Sequence, residues 1–388
     1  MEQVGAVKME KAKRYQVLDS WRGVCACMVA LFHFKTNSHT YDLPFFRNAY
    51  LFVDFFFVLS GFVIFANYEE RLRKGFGVVR FLVMRFGRVY PLHFAVLMAF
   101  IGWDIVQLIF PQVASFAKYA PFSGPGETSG YIVSNLLLTH SLGLHDYLAL
   151  NGPSWSISTE FYAYVLFALA IVIFRNRIHL FLIASVILSP VFLYIFSPGF
   201  MDTTYRYGYV RCIYGFSLGA LIWLFMDRSR GLFGDPNIGK RFLAVAEVVV
   251  LFLVILYVSF AGTGPLSLAA PVVFALTIYI FSFEAGLISI LMRTRFFLFL
   301  GLLSYSIYMN EILVGGKFFF GLAGVAEKKL SVYVFSSVGG VKRLGIDLWQ
   351  GDLFNILYLA VLVLFSWFTY KLVEEPGRRF FRGRVIGK

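Results

Sequence analysis

Charge is scarce in this chain. Only 15% of its 388 residues are Asp, Glu, Lys or Arg, where soluble domains carry about 25%, so an ordinary water-exposed globular surface is excluded. Acid is the scarcer sign: 22 Asp and Glu stand against 35 Lys and Arg, a net charge of +13. Cysteine is nearly missing too, and Cys25, Cys27 and Cys212 each sit in an apolar run, which implies no disulfide framework. The polar interruptions are short, leaving no room for a separate soluble domain. No internal repeat or low-complexity tract is evident. The first 16 residues lack an apolar core and a small-residue cleavage site, so no cleaved signal peptide is expected.

What is present is apolar. Hydrophobic residues make up 59% and aromatics 19%, and the mean hydropathy is +0.73. Runs long enough to span a bilayer, each needing ~20 residues, recur along the whole length. The expected fold is an all-α integral membrane protein of about ten transmembrane helices. They fall near residues 17–34, 49–67, 89–110, 155–177, 178–196, 207–226, 242–260, 266–283, 296–320 and 353–372. Residues 68–88 read as the most basic loop. Within the Gly/Pro/Ser-rich segment 111–151, the apolar piece 131–144 is too short to span and reads as re-entrant or interfacial.

Basic residues orient this layout. With alternating spans, 24 of the 35 Lys and Arg fall on one side and nine on the other, while Arg22 and Arg211 remain inside the membrane. The positive-inside rule then places both termini in the cytoplasm. Three segments follow: a basic cytoplasmic tail at 1–16, a transmembrane domain at 17–373 and a basic cytoplasmic tail at 374–388. The rule also explains the net charge without nucleic acid as a partner; the partner is the lipid bilayer. The connection after the ninth span mixes Glu327 and Asp347 with four basic residues. It reads either as a substrate-touching loop or as a solvated connection.

The stretch Leu18-Asp19-Ser20-Trp21-Arg22-Gly23, running on to His33, stands out. On an α-helix Arg22 and His33 share a face about 16 Å apart, and Asp19 lies one turn before Arg22. Polar groups on a greasy helix usually mark a site or pathway; the bland alternative is a snorkelling arginine and a histidine bonded to a neighbouring helix. His33, Asp54 and Glu160 fall toward the outer end of their spans, whereas Arg22, Arg85 and Arg88 fall at the cytoplasmic level. Arg85 and Arg88 sit one helical turn apart, a spacing that suits a phosphate or pyrophosphate, with plain topogenic charge as the alternative. Ser60-Gly61 reads as close helix packing through small residues.

Taken together these pieces resemble the membrane-bound acyltransferase-3 family. Its opening arginine and histidine, with ten residues between, are similar to Arg22 and His33. Asp54-Phe55-Phe56-Phe57-Val58-Leu59-Ser60-Gly61-Phe62 resembles its second motif and Arg85-Phe86-Gly87-Arg88-Val89-Tyr90-Pro91 its basic loop. Ser154-Trp155-Ser156-Ile157-Ser158-Thr159-Glu160-Phe161-Tyr162 resembles its Trp-Ser-Leu-Ser-x-Glu stretch. Arg211 with Phe216-Ser217-Leu218-Gly219, and Glu374-Glu375-Pro376-Gly377-Arg378, fit as well. One departure is clear. After Leu303-Ser304-Tyr305-Ser306-Ile307-Tyr308 the family reaches a histidine, and here Asn310-Glu311 stands instead.

The resemblance implies transfer of an acyl group, acetyl from acetyl-CoA first of all, to a hydroxyl of a cell-surface or exported carbohydrate. It implies a multi-pass protein of the bacterial cytoplasmic (inner) membrane, with acyl-CoA arriving from the cytoplasm, the acceptor from outside, and no metal. Arg22, Arg85 and Arg88 would bind the donor and Ser154, Trp155, Tyr162, Arg211 and Tyr305 the substrates. His33 would be the general base, the side chain type that titrates nearest neutral pH. Asp54 or Glu160 would hold its tautomer or bind the acceptor. The competing class is a multi-span exporter of a glycan or acyl-modified small molecule, against which the absence of inverted repeats and paired broken helices weighs. A non-catalytic subunit of a glycan assembly complex is a third reading.

Overall fold

The computed structural model describes residues 14–110, 120–148, 150–229 and 236–386. Most of the tail expected over residues 1–16, and residues 111–119 and 230–235 of two expected connections, lie outside them. The chain is an all-α, multi-span membrane protein. Among the described residues, seven helical stretches are long and apolar enough to cross a bilayer. They do not map one to one onto ten expected spans. Helix α1, Gln16–His33, is diluted by Asp19, Arg22 and His33 and is not among the seven. The stretch Gly152–Phe196 is a pair of helices, and Pro265–Phe281 is apolar but shorter.

After α1, a one-turn α2 (Pro44–Arg47) leads to α3 (Phe52–Arg73) and α4 (Val78–Ile109). The basic stretch expected as a loop is therefore helical except at residues 74–77, and Arg80, Arg85 and Arg88 ride on the first turns of α4. The expected re-entrant piece is a short α5 (Ser129–Leu136) followed by turns. Helices α6 (Trp155–Phe174) and α7 (Ile178–Phe196) reverse at Arg175, whose φ of 43° breaks the helix. There follow α8 (Gly208–Ser229), α9 (Pro236–Ala261), α10 (Ala270–Phe281) and a short α11 (Leu287–Met292) that the hydropathy pattern does not reveal. Helix α12 (Arg295–Ile312) runs through a π-helical turn, Leu313–Phe319, into α13 (Phe320–Leu330). Helix α14 (Leu348–Thr369) continues through a second π turn, Tyr370–Glu374, into α15 (Glu375–Ile386).

Two helix pairs carry the architecture, α1 on α12 and α3 on α8. Small residues let their backbones touch. A Cβ on Gly61 would lie 2.0 Å from the Phe216 carbonyl, and one on Gly219 1.8 Å from that of Val58. The packing expected of Ser60-Gly61 is thus the role of Gly61. In the first pair a Cβ on Gly23 would strike the backbone at Leu300–Gly301. That contact sets the register of α1 against α12.

At the end of the molecule beyond His33, the connection after α13 folds into an antiparallel hairpin, β1 (Phe335–Val338) and β2 (Val341–Leu344). Its turn is Gly339-Gly340, both at positive φ, as a tight two-residue turn demands. The hairpin is tied down. Leu344 pairs with Thr36, Arg343 binds both Asp42 oxygens at 2.6 and 3.0 Å, and Glu327 accepts the Val334 and Phe335 amides.

Candidate active site

Arginine is expensive to bury, so the places where the fold gathers it are informative. A cavity of about 530 Å³ opens where the first turns of α1 and α4 meet α15. Arg14 and Arg22 enter it from the α1 side, Arg85 and Arg88 from α4, and Arg378 and Arg382 from α15, each of the last two pairs one turn apart. The carboxylates lining it are Asp19, Glu160 and Glu374. Six guanidinium groups therefore face three acids. Arg22 lies 3.4 Å from Asp19 and donates to Ser304 Oγ at 2.9 Å. Arg85 donates to the Tyr68 hydroxyl at 3.1 Å while lying 4.9 Å over its ring. Glu374 accepts from Ser306 at 2.7 Å, and Glu160 from Ser60 and Tyr164. Half-buried Arg88 has no hydrogen-bonding partner among the described residues.

The far end of this cavity is closed by Phe56 and Tyr308, whose rings meet edge to face at 5.7 Å. Tyr308 is fixed by two bonds: it accepts from Ser156 Oγ at 2.8 Å and donates to the Pro153 carbonyl at 2.9 Å. One turn further along α12 comes Glu311, 1% exposed, with Oε1 2.9 Å from Nδ1 of His33. His33 is the last residue of α1, and its side chain is about a third exposed (32%). The imidazole thus stands past Tyr308, at the end of α1 away from Arg22, and is partly exposed.

Several residues expected at the site are elsewhere. Asp54 is fully buried in a two-pronged ion pair with Arg211, at 2.9 and 2.7 Å. Arg211 also donates to the Thr203 and Tyr50 carbonyls and lies 5.3 Å from the Trp155 ring. Asp54, Arg211 and Trp155 form one buried knot that joins α3, α8 and α6, and the Asp54 carboxylate is not free for the imidazole. Glu160, expected at the level of His33, instead lies in the arginine cavity. Ser154 is buried against His140, 3.2 Å away, and Tyr162 donates to the Leu137 carbonyl at 3.3 Å. Of the five residues expected to bind substrate, only Tyr305 lines the cavity, its hydroxyl donating to the Val89 carbonyl.

With this arrangement in view, a family model described as an acyltransferase domain matches residues 15–371. The chain belongs to the acyltransferase-3 family. The enzyme is also similar to "Protein 2 in picA locus" of Rhizobium radiobacter, 31% identical over 156 residues, which is 38% of this chain and 78% of that protein. No solved structure matches the chain.

The acyltransferase carries site residues that the sequence pattern does not single out. Arg382 belongs to a stretch that reads as a basic tail, yet with Glu374 and Arg378 of the quoted Glu-Glu-Pro-Gly-Arg stretch it completes the cavity wall. Ser156 and Tyr308 lie inside recognisable motifs without marking themselves as its end wall. Glu311 reads only as a departure from a pattern. The signal that could have found it is its type: an unexplained carboxylate in an apolar span calls for a partner.

Proposed function

We propose that this acyltransferase moves an acyl group, acetyl from acetyl-CoA in the first place, from the cytoplasmic side of a bacterial inner membrane to a hydroxyl of a carbohydrate on the outer side. One observation carries the reading: six arginines against three acids around a single cavity, at the end that the charge bias assigns to the cytoplasm. Such a surplus calls for a polyanion, and guanidinium pairs one turn apart suit phosphates and pyrophosphates. A nucleotide-bearing thioester supplies both. The phosphates would dock at Arg85, Arg88, Arg378 and Arg382, and the thioester arm would run past Arg22 and Tyr305 toward Phe56 and Tyr308.

At that end His33 accepts the proton of an acceptor hydroxyl as the oxygen attacks the thioester carbonyl. The new C–O bond forms, the C–S bond breaks, and the imidazolium returns its proton to the leaving thiolate. Direct transfer of this kind requires no acylated histidine. The carbohydrate nature of the acceptor is supported by the family resemblance, not by any contact in the cavity.

The experiment is direct. Membranes holding the protein and a glycan pool receive acetyl-CoA labelled in the acetyl group, and label entering carbohydrate is counted alongside the CoA released. Label in a glycan hydroxyl supports the proposal. CoA release that depends on the protein but leaves no label in carbohydrate removes the acceptor class. No dependence on the protein at all removes the reaction.

A further inference from the structure

Buried carboxylates need partners, because an unpaired charge in a low-dielectric interior is heavily penalised. Among the described residues Asp104, 3% exposed, also has an oxygen without a hydrogen bond, but three other buried acids of the helical core are satisfied by structural groups. Asp54 has both prongs of Arg211. Glu247 caps the start of α11, accepting the Gly286 amide at 2.8 Å, the Ser289 amide at 3.0 Å and the Ser289 hydroxyl. Glu374 has Ser306. In Glu311 neither oxygen, and across from it the Nδ1 of His33, makes a hydrogen bond of regular geometry among the described residues; the two groups face each other directly, Nδ1 2.9 Å from Oε1.

Its setting is built for placement. Glu311 lies on the last turn of α12, just before the π turn Leu313–Phe319, and its backbone carbonyl accepts from the buried Tyr358 hydroxyl at 3.1 Å. π-helical turns inside helices often occur at functional sites. The glycine contact between α1 and α12 fixes the two helices in register, so His33 and Glu311 meet as a consequence of backbone packing rather than of flexible reach.

From this geometry we infer that Glu311 is the positioning residue of the acyltransferase: its carboxylate holds the Nδ1–H tautomer of His33, so that Nε2 presents the lone pair that takes the acceptor's proton. This rests on His33 being the general base, and it assigns a role to a position that resemblance alone leaves empty. Glu311 touches neither substrate. When Nε2 takes up the hydroxyl proton, the imidazolium that forms faces the carboxylate across the same 2.9 Å contact. When the proton passes to the thiolate, the starting tautomer is restored without any change at Glu311.

The test is a mutant cycle in native membranes, with labelled acetyl-CoA as donor and transfer measured per folded molecule. Glu311→Gln keeps shape but loses the charge, and should lower kcat by about 10²-fold or more with the KM for acetyl-CoA unchanged, since the arginines are untouched. Glu311→Asp should recover a substantial part of the rate. The double variant His33→Gln with Glu311→Gln should be no slower than His33→Gln alone, because a residue acting through another adds nothing once that other is gone. Multiplying losses in the double variant would overturn the inference. So would parental turnover in Glu311→Gln alongside an inactive His33→Gln, with the base reading left standing. Parental turnover in His33→Gln would instead remove the base itself, and the inference with it. Should Glu311→Gln fail to accumulate, the cycle is run with Glu311→Asp, and the same non-additivity decides.

Discussion

At the scale of single residues, the proposed mechanism divides the site into groups that would hold the donor and a group that would move a proton. A charge-assisted hydrogen bond is worth about 1.5–3 kcal/mol, roughly 10- to 100-fold in binding. Arg88→Ala and Arg382→Ala should therefore each raise the KM for acetyl-CoA by about that factor and leave kcat close to parental. Unchanged donor KM in both variants would return these arginines to topogenic charge. His33→Ala should show the opposite split, a drop in kcat of the ~10²–10⁴-fold typical of a general base with donor binding retained. A well-inserted His33→Ala enzyme that transfers acyl groups at the parental rate would end the proton-transfer mechanism.

At the scale of elements, the buried Asp54–Arg211 pair shows how a residue can look catalytic and be architectural. Its partners are 157 residues apart in the chain, so no local pattern joins them, and an acid near a helix end invites a chemical reading. Removing one partner leaves a charge stranded at 1% exposure, which costs about 3–5 kcal/mol. Asp54→Ala should lower the unfolding midpoint of the purified protein sharply while turnover per folded molecule persists. Replacing both residues by leucine should cost less than Asp54→Ala. An Asp54→Ala protein of parental stability but without turnover would reinstate the catalytic reading.

The same contrast explains what was legible in advance. Helices such as α7 (Ile178–Phe196) coincide with their expected spans, because in a bilayer hydropathy and the need to satisfy backbone groups leave little choice. The two π turns, the extension of α4 into the basic stretch and the short α11 were not legible, since they depend on packing rather than composition. Arg22, Arg85, Arg88 and Tyr305 were readable from local motifs, and all four line the cavity. Arg378 stands in a quoted motif but its place beside Arg85 and Arg88 was not readable, nor was Arg382 at all, because only the fold brings the last helix against α4.

At the scale of the whole molecule, sidedness becomes a physical question. Arg14 and Arg382, from opposite ends of the described chain, line one cavity, so both terminal segments lie at the same end of the bundle. The hairpin β1–β2 lies beyond His33, at the other. In the orientation proposed from the positive-inside rule the arginine end faces the cytoplasm, and the donor and acceptor then do not share an entrance. The three native cysteines are buried, which leaves a quiet background for labelling introduced ones. Ser337, in the exposed part of β1, and Arg379, on the open face of α15, are suited to this. In intact cells a membrane-impermeant maleimide should label Ser337→Cys and spare Arg379→Cys, which should react only after permeabilisation. The reverse pattern would invert the protein and move the donor cavity outside, where acetyl-CoA is not supplied. Labelling of both from one side would break the two-entrance arrangement itself, and with it the transfer of an acyl group across the membrane.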